Sequence, residues 1–182
     1  MRKTGFVVLS ILLFATLGSA QVPSGNVFFG YSYYNTDLST NNRVSANGWE
    51  ASAEGKIIPF LGIVADFDAH YGSQSLVSVC AFGGVCSVSA SFTEENYLFG
   101  PRVSISVAKF RPFAEVLIGA AHENVNNGFG SDTSFAEAVG GGIDYRIFRP
   151  IAWRVEGDYV GTHLLGVRQN NVRLSTGIVF RF

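Results

Sequence analysis

Several groups of charged and polar residues in this chain fall at every second position. Glu50, Ser52 and Glu54 form one such set, followed by Asp66, Asp68 and His70, by Arg102 and Ser104, by Asp144 and Arg146, and by Arg154, Glu156 and Asp158. A spacing of two places each set on one face of a β-strand. Carboxylates and guanidiniums gathered this way could relay protons or line an ion path, and a pair of carboxylates could act as acid and base. They could equally neutralise one another in a packed plug. The plug is favoured, because a narrow strand-built barrel has an interior just wide enough for side chains and buried charge persists only when paired. Arg102, Arg154 and Arg173 are expected to neutralise Glu50, Asp66, Asp68, Glu156 and Asp158, with Glu54 in the same lumen network.

Other residue types with chemical capacity are few. His70, His122 and His163 are followed two residues later by Gly72, Asn124 and Leu165, so none has a nucleophile at that spacing, and all three are expected as ordinary residues near one rim. Cys80 and Cys86 lie in a segment, Val77-Ser78-Val79-Cys80-Ala81-Phe82-Gly83-Gly84-Val85-Cys86-Ser87-Val88-Ser89, that is nearly mirror-symmetric about Gly83. That pattern predicts a hairpin with the cysteines as cross-strand partners. In an oxidising compartment they form a disulfide that closes a small ring and contributes roughly 2 kcal/mol. A single cysteine pair without a nearby histidine is not a zinc pattern, so no metal is expected. Gly140-Gly141-Gly142 sits inside a strand pattern with no helix after it, which removes the phosphate-loop reading and leaves a steric role.

The elements that position these residues are legible in the hydropathy pattern. Residues 1–20 read as a cleaved signal peptide: Arg2 and Lys3 precede an apolar run over 6–17, and Gly18-Ser19-Ala20 offers a cleavage site. Its removal takes two of 13 basic residues, leaving 11 against 14 acidic ones and a net charge of −3. Neither a basic groove nor an acidic tail is present, so nucleic acid is excluded as a partner. Charged residues are only 15% of the chain, against roughly 25% in soluble domains, yet no later segment is long and apolar enough for a helical span. Apolar surface spread over strands is the remaining option, and a closed barrel is the strand architecture that lipid tolerates.

Strand patterns occupy 26–35, 47–57, 61–72, 92–106, 112–123, 134–146, 151–162 and 170–182, eight in all. Short connections alternate with long ones. Ile58-Pro59-Phe60, Arg111-Pro112-Phe113 and Arg149-Pro150-Ile151 put proline at tight turns, whereas 35–46, 73–91, 124–133 and 163–169 are polar and rich in Asn, Gly and Ser. Short periplasmic turns and long outer loops are the asymmetry of membrane barrels. The mid-strand charges must then face the lumen, since a basic residue at mid-bilayer on the lipid face costs about 2–4 kcal/mol. The opposite face carries Tyr33, Trp49, Tyr71, Tyr97, Phe135 and Tyr159 towards one rim and Tyr145, Trp153, Phe180 and Phe182 towards the other, as two interfacial aromatic girdles would. Glu137 and His122 share that face and are expected at the outer interface, where charge is tolerable, with a bulge as the alternative explanation.

In the last strand Val172, Leu174, Thr176, Ile178, Phe180 and Phe182 alternate with Arg173, Ser175, Gly177, Val179 and Arg181, and the chain stops on Phe. This ending resembles the small bacterial outer-membrane barrels, the OmpA-type transmembrane domain and its OmpX-like relatives. The resemblance implies an all-β, eight-stranded antiparallel up-and-down transmembrane β-barrel over 21–182, set in the outer-membrane bilayer, with Phe182 read by the barrel-assembly machinery. It implies no reaction. The peptidoglycan-binding domain of full-length OmpA-type proteins is not expected. The chain also resembles lipid A deacylases in size and terminal Phe, but lacks their His-x-Ser motif. Residues 21–26 are too few for the amphipathic helix that opens the palmitoyltransferase type. The expectation is a structural or surface-interaction protein, without enzymatic activity or cofactor, whose loop ligand is unidentified. A narrow pore, an outer-leaflet lipid enzyme and, with faces exchanged, a lipocalin-like ligand-binding barrel are the alternatives.

Overall fold

The computed structural model describes residues 24–37, 43–79, 85–125, 130–163 and 168–182. The expected signal peptide and Cys80 lie outside the described residues, as does the side chain of Cys86. Eight strands follow in order: β1 (Gly25–Asp37), β2 (Arg43–Ile58), β3 (Leu61–Val79), β4 (Val85–Ser104), β5 (Phe110–Val125), β6 (Gly130–Phe148), β7 (Ile151–Thr162) and β8 (Gln169–Arg181). Each pairs antiparallel with the next, and β1 pairs with β8 to close a barrel. Closure leaves no strand edge in lipid, where every unpaired backbone group would be costly. At the seam the Gly25 amide donates to the Phe182 carbonyl at 3.0 Å, and the Phe182 amide donates back to Gly25 at 3.1 Å.

Side chains alternate about this wall with period two. Along β7, Ala152, Arg154, Glu156, Asp158 and Val160 are buried while Trp153, Val155 and Tyr159 are exposed. Along β8, Arg173, Ser175 and Val179 point in, and Leu174, Ile178 and Phe180 point out. The outward surface is apolar over the middle of the strands: Phe29 is 62% exposed, Ile118 56% and Val139 57%. Phe29, Trp49, Phe67 and Tyr97 form an arc of ring contacts across four strands, with centroids 4.8–6.1 Å apart. On the same surface the Trp153 indole N–H donates to Thr176 Oγ1 at 2.9 Å, which satisfies its one polar atom. An apolar outside and a charged inside suit a bilayer and rule out the exchanged-face alternative, whose lumen would have to be apolar.

Two features of the wall differ from the pattern read in the sequence. The outer ends of the strands run further than expected; β3 and β4 stay in register as far as Val79 opposite Val85, so most of the expected 73–91 loop is ladder. Polar Ser-rich composition there reads as loop, but above the bilayer neither face needs to be apolar, so the alternation that marks a strand is lost while its backbone pairing continues. At the opposite end β4 stops at Ser104 and β5 begins at Phe110, so Pro112 is not in the turn. It lies just past the last β4–β5 pair, Ser104 with Phe113, and its carbonyl accepts from Ile105 at 3.1 Å. The turn itself is built from Val107 to Phe110, with Ala108 at a left-handed φ of 55°.

Register is described as far as Val79 opposite Val85. Cys86 stands opposite Ser78, which places the described part of the hairpin one residue away from mirror symmetry about Gly83.

The charged lumen as candidate functional site

Side chains from all eight strands meet inside the barrel in stacked polar layers. Nearest the periplasmic mouth, Glu54 accepts from Lys56 Nζ at 2.5 Å and from Asn26 Nδ2 at 2.6 Å, and Arg111 lies 3.4 Å away. Lys56 and Arg111 both also donate to Ser104 Oγ, at 2.6 and 2.9 Å. One layer up, Arg154 grips both oxygens of Asp144, at 2.7 and 3.3 Å, and Arg181 adds a third bond at 2.9 Å. Arg102 donates to Glu115 at 2.5 Å and to Glu156 at 3.2 Å. The Phe113 ring lies beside both guanidiniums, 4.4 Å from that of Arg102 and 4.5 Å from that of Arg154, where its π face adds attraction. Inward-facing Gly142 makes room for it: a Cβ at that position would lie 2.9 Å from Phe113 Cζ.

The next layer belongs to Arg173. Its guanidinium contacts Asp68, Asp66 at 2.7 Å, Asp158 at 2.9 Å and Glu50 at 3.6 Å, and it is wholly buried. Above it, Asn96 donates to Asp68 at 2.8 Å, Tyr34 donates to Glu94 at 2.9 Å, and Asn171 donates to the Tyr34 hydroxyl at 2.8 Å. The Tyr34 and His70 rings stack at 4.6 Å.

The nine lumen residues read from the sequence are thus all buried. Arg173 meets Glu50, Asp66, Asp68 and Asp158, and Arg102 and Arg154 share Glu156. Glu54 is held by Lys56 rather than by a member of that set, with Arg102 at 3.9 Å. Glu115 went unread because its strand gives no polar/apolar contrast: its lumen face carries Phe113, Leu117 and Ala121, as apolar as Val116 and Ile118 on the outside. Lys56 and Arg111 were missed because they close the mouth from strand ends, where alternation has too few residues to speak, and Arg181, on the same face as Arg173, joins them by reaching Asp144. His70 faces the lumen at the level of Trp49 and Tyr71. It is completely buried, while His122 bonds Thr133 at 2.7 Å and His163 is exposed.

His70 has a connectivity that the sequence did not disclose. Its Nδ1 lies 3.0 Å from Asp68 Oδ1 and its Nε2 lies 2.9 Å from Ser32 Oγ. Carboxylate, imidazole and hydroxyl stand in the order of a hydrolytic triad. All three residues have no exposed surface, and Ser32 Oγ is also bonded to Ser175 at 2.9 Å. No acyl group can approach that hydroxyl, so His70–Ser32–Ser175 acts as a structural hydrogen-bond path, continued by Ser175 to Glu50 at 2.5 Å, with Asp68 at ion-pair distance from the His70 ring.

An apolar, aromatic-belted wall closed around buried ion pairs defines the class: this is a small eight-stranded β-barrel protein of the bacterial outer membrane. Within it, the chain is similar to outer membrane protein A of Klebsiella aerogenes, 26% identical across 100% of this chain and 56% of that protein, so it spans about half the length of this curated relative. No family model matches the chain. Among solved structures, Neisserial surface protein A (NspA) has a TM-score of 0.66 at 11% identity, over 87% of this chain and 97% of that one. Ail, the attachment invasion locus protein of Yersinia pestis, solved with the heparin analogue sucrose octasulfate, has a TM-score of 0.57 at 15% identity, over 87% and 99%. Both likenesses are of fold.

Proposed function

We propose that this protein is a rigid outer-membrane stake whose outer loops carry out recognition, with no catalytic step. The observation that carries this reading is the filled lumen: three wholly buried arginines and their carboxylates occupy the space a solute would need. A scaffold filled in this way holds loops still, and loops on rigid scaffolds are where binding residues concentrate. The four outer connections contain Asp37 and Asp132 against Arg43 and Arg168. That balance favours a neutral, hydrogen-bonding surface over a polyanion of the kind bound to Ail. Pull-down with the folded barrel, against the same barrel with 73–91 replaced by a short turn, tests this on host and envelope components; equal capture by both removes the loops from the function. Planar-bilayer conductance and turnover of outer-leaflet lipid test the pore and enzyme readings.

The same reading has Phe182 recognised by the assembly machinery and residues 1–20 removed after Ala20. Phe182→Asp is expected to lower outer-membrane levels far more than Leu174→Val, and amino-terminal sequencing of the mature protein should begin at Gln21. Cys80 and Cys86 are proposed to be joined after export, which mass spectrometry of the unreduced protein reads as a loss of two hydrogens.

A further inference from the structure

The periplasmic end of the barrel is one-sided in charge. Of the 11 basic residues after residue 20, six stand there: Lys56, Lys109, Arg111, Arg146, Arg149 and Arg181. The turns and strand ends that carry them, 55–62, 103–112, 145–151 and 179–182, contain no Asp or Glu. Lys56 and Arg111 turn into the lumen mouth and meet Glu54. Three of the others meet at one crevice.

That crevice, of about 220 Å³, lies between the β6–β7 turn and the end of β8, and it is lined by Arg146, Arg149 and Arg181 together with Phe148, Ile151 and Phe182. The Arg181 amide donates to the Pro150 carbonyl at 2.9 Å, which fixes the turn against the strand. The three guanidiniums have one carboxylate between them. Arg146 donates to a neutral acceptor, the Ala108 carbonyl, at 3.0 Å. Arg149 is exposed, and among the described residues neither it nor Arg146 has an ion-pair partner, the Phe182 carboxylate included. Arg181 reaches Asp144 at 2.9 Å, but Arg154 already holds both oxygens of that carboxylate, and Arg181 Nε is buried without an acceptor. Planar donors with surplus positive charge around one space fit a phosphate group.

The position of the crevice says what carries the phosphate. Phe148, Phe180 and Phe182 are exposed beside it in the inner girdle. Further up the lipid face Ile151 pairs with Phe180 and Trp153 with Ile178, so an apolar track leads away from the crevice along the wall. A free anion would leave those walls wet. A glycerophospholipid places its phosphodiester among the guanidiniums and an acyl chain on the track. A zwitterionic head group would bring an ammonium into this group of cations, where the acids at this end, Glu54 and Asp144, are buried and already paired. An anionic head group brings no such charge. We propose that Arg146, Arg149 and Arg181 form a head-group site for an anionic phospholipid of the periplasmic leaflet, with Phe180, Trp153 and Ile178 carrying its acyl chain.

The test follows Trp153, made the sole tryptophan by Trp49→Phe, in the whole mature barrel folded into phosphatidylcholine vesicles. A small fraction of lipid brominated on its acyl chains is added, either as phosphatidylglycerol or as phosphatidylethanolamine. Bromine quenches the indole on contact, so stronger quenching by the glycerol lipid at equal mole fraction reads selective occupancy of the track. A preference of about fivefold per arginine is expected. Arg149→Gln should therefore reduce it about fivefold, and Arg146→Gln similarly; neither residue holds a lumen ion pair, and if one variant fails to fold the other reads the same site. Lys109→Gln removes the same charge from the same end but outside the crevice, and should leave the preference in place. Equal quenching by both lipids, or an equal loss in Lys109→Gln, overturns the proposal. Release of the brominated phosphatidylglycerol by millimolar inorganic phosphate would assign the crevice to a free anion and overturn the lipid.

Discussion

The periplasmic and outer halves of the lumen are built on the same alternating strands, yet they neutralise charge in different ways. In the periplasmic half, Glu54, Glu115, Asp144 and Glu156 each have a cation within 3.2 Å, supplied by Lys56, Arg102 and Arg154, with Arg111 and Arg181 in support. In the outer half Glu50, Asp66, Asp68, Glu94, Glu123 and Asp158 are buried, and among the described residues the arginine that reaches into this group is Arg173. Hydroxyls and amides hold much of the rest, as Tyr34 does for Glu94 and Asn96 for Asp68. The first half spreads its electrostatic stability over many partners that can substitute for one another; the second concentrates it on one side chain. Two regions with similar burial should therefore respond to mutation very differently.

The largest effect is expected at that concentrated point. Arg173→Met leaves four acids without their shared cation and should cost about 3–5 kcal/mol, the range for removing one member of a buried ion pair. Arg111→Met, on the periplasmic side, should cost far less, because Lys56 still holds Glu54. Urea titration of both variants in bilayers reads the contrast directly, and equal midpoints would show that the two halves share load evenly.

A charge placed on the wrong side of the wall comes next. Val155→Arg puts a cation on the lipid face and should cost about 2–4 kcal/mol, whereas its neighbour Glu156 lies inside against Arg102 and Arg154. Cysteine labels with a lipid-soluble quencher separate the two positions: a label at 155 should be quenched and one at 156 protected. The reverse result would exchange lumen and lipid faces and move both halves of the comparison to the outside.

How much of this contrast could be read beforehand depended on local alternation. On β3, β7 and β8 polar and apolar residues alternate cleanly, so Asp66, Asp68, Glu156, Asp158 and Arg173 were assigned to one face from the chain alone. Between its ends, from Pro112 to Ala121, β5 is apolar on both faces apart from Glu115 within, so the parity carried no signal and Glu115 was passed over. The His70–Ser32 bond was illegible for another reason: Ser32 comes from β1 and His70 from β3, whose side chains meet across the lumen rather than as register partners. The proline turns illustrate the same boundary, with two of three standing as expected and the third displaced by a ladder that begins at Phe110.

Within the periplasmic half, redundancy has a measurable consequence of its own. Glu54→Gln removes a carboxylate that three basic groups approach, yet Lys56 and Arg111 keep their bonds to Ser104. The loss should be that of charge-assisted hydrogen bonds alone, about 1–3 kcal/mol, and it should be smaller than the loss at Arg173. A cost equal to that of Arg173→Met would mean that the mouth is as concentrated as the outer half.

The smallest effect isolates burial from distance. Arg168 and Glu137 form an ion pair at 3.3 Å on the outer surface, with side chains 59% and 50% exposed; Arg102 and Glu156 stand at 3.2 Å with none exposed. Separation is nearly the same, so any difference in energy comes from the surroundings. In water or among headgroups the charges are screened and ordering two long side chains costs entropy, so Arg168→Gln should change stability by about 1 kcal/mol or less, and added salt should shrink even that. The result also reports depth. Glu137 faces outward like Phe135 and Val139, and its carboxylate is tolerable there only if it reaches the polar interface. If Arg168→Gln costs as much as removing a lumen arginine, and salt leaves that cost unchanged, then Glu137 lies within the hydrocarbon and the barrel sits deeper in the bilayer than its aromatic rims indicate.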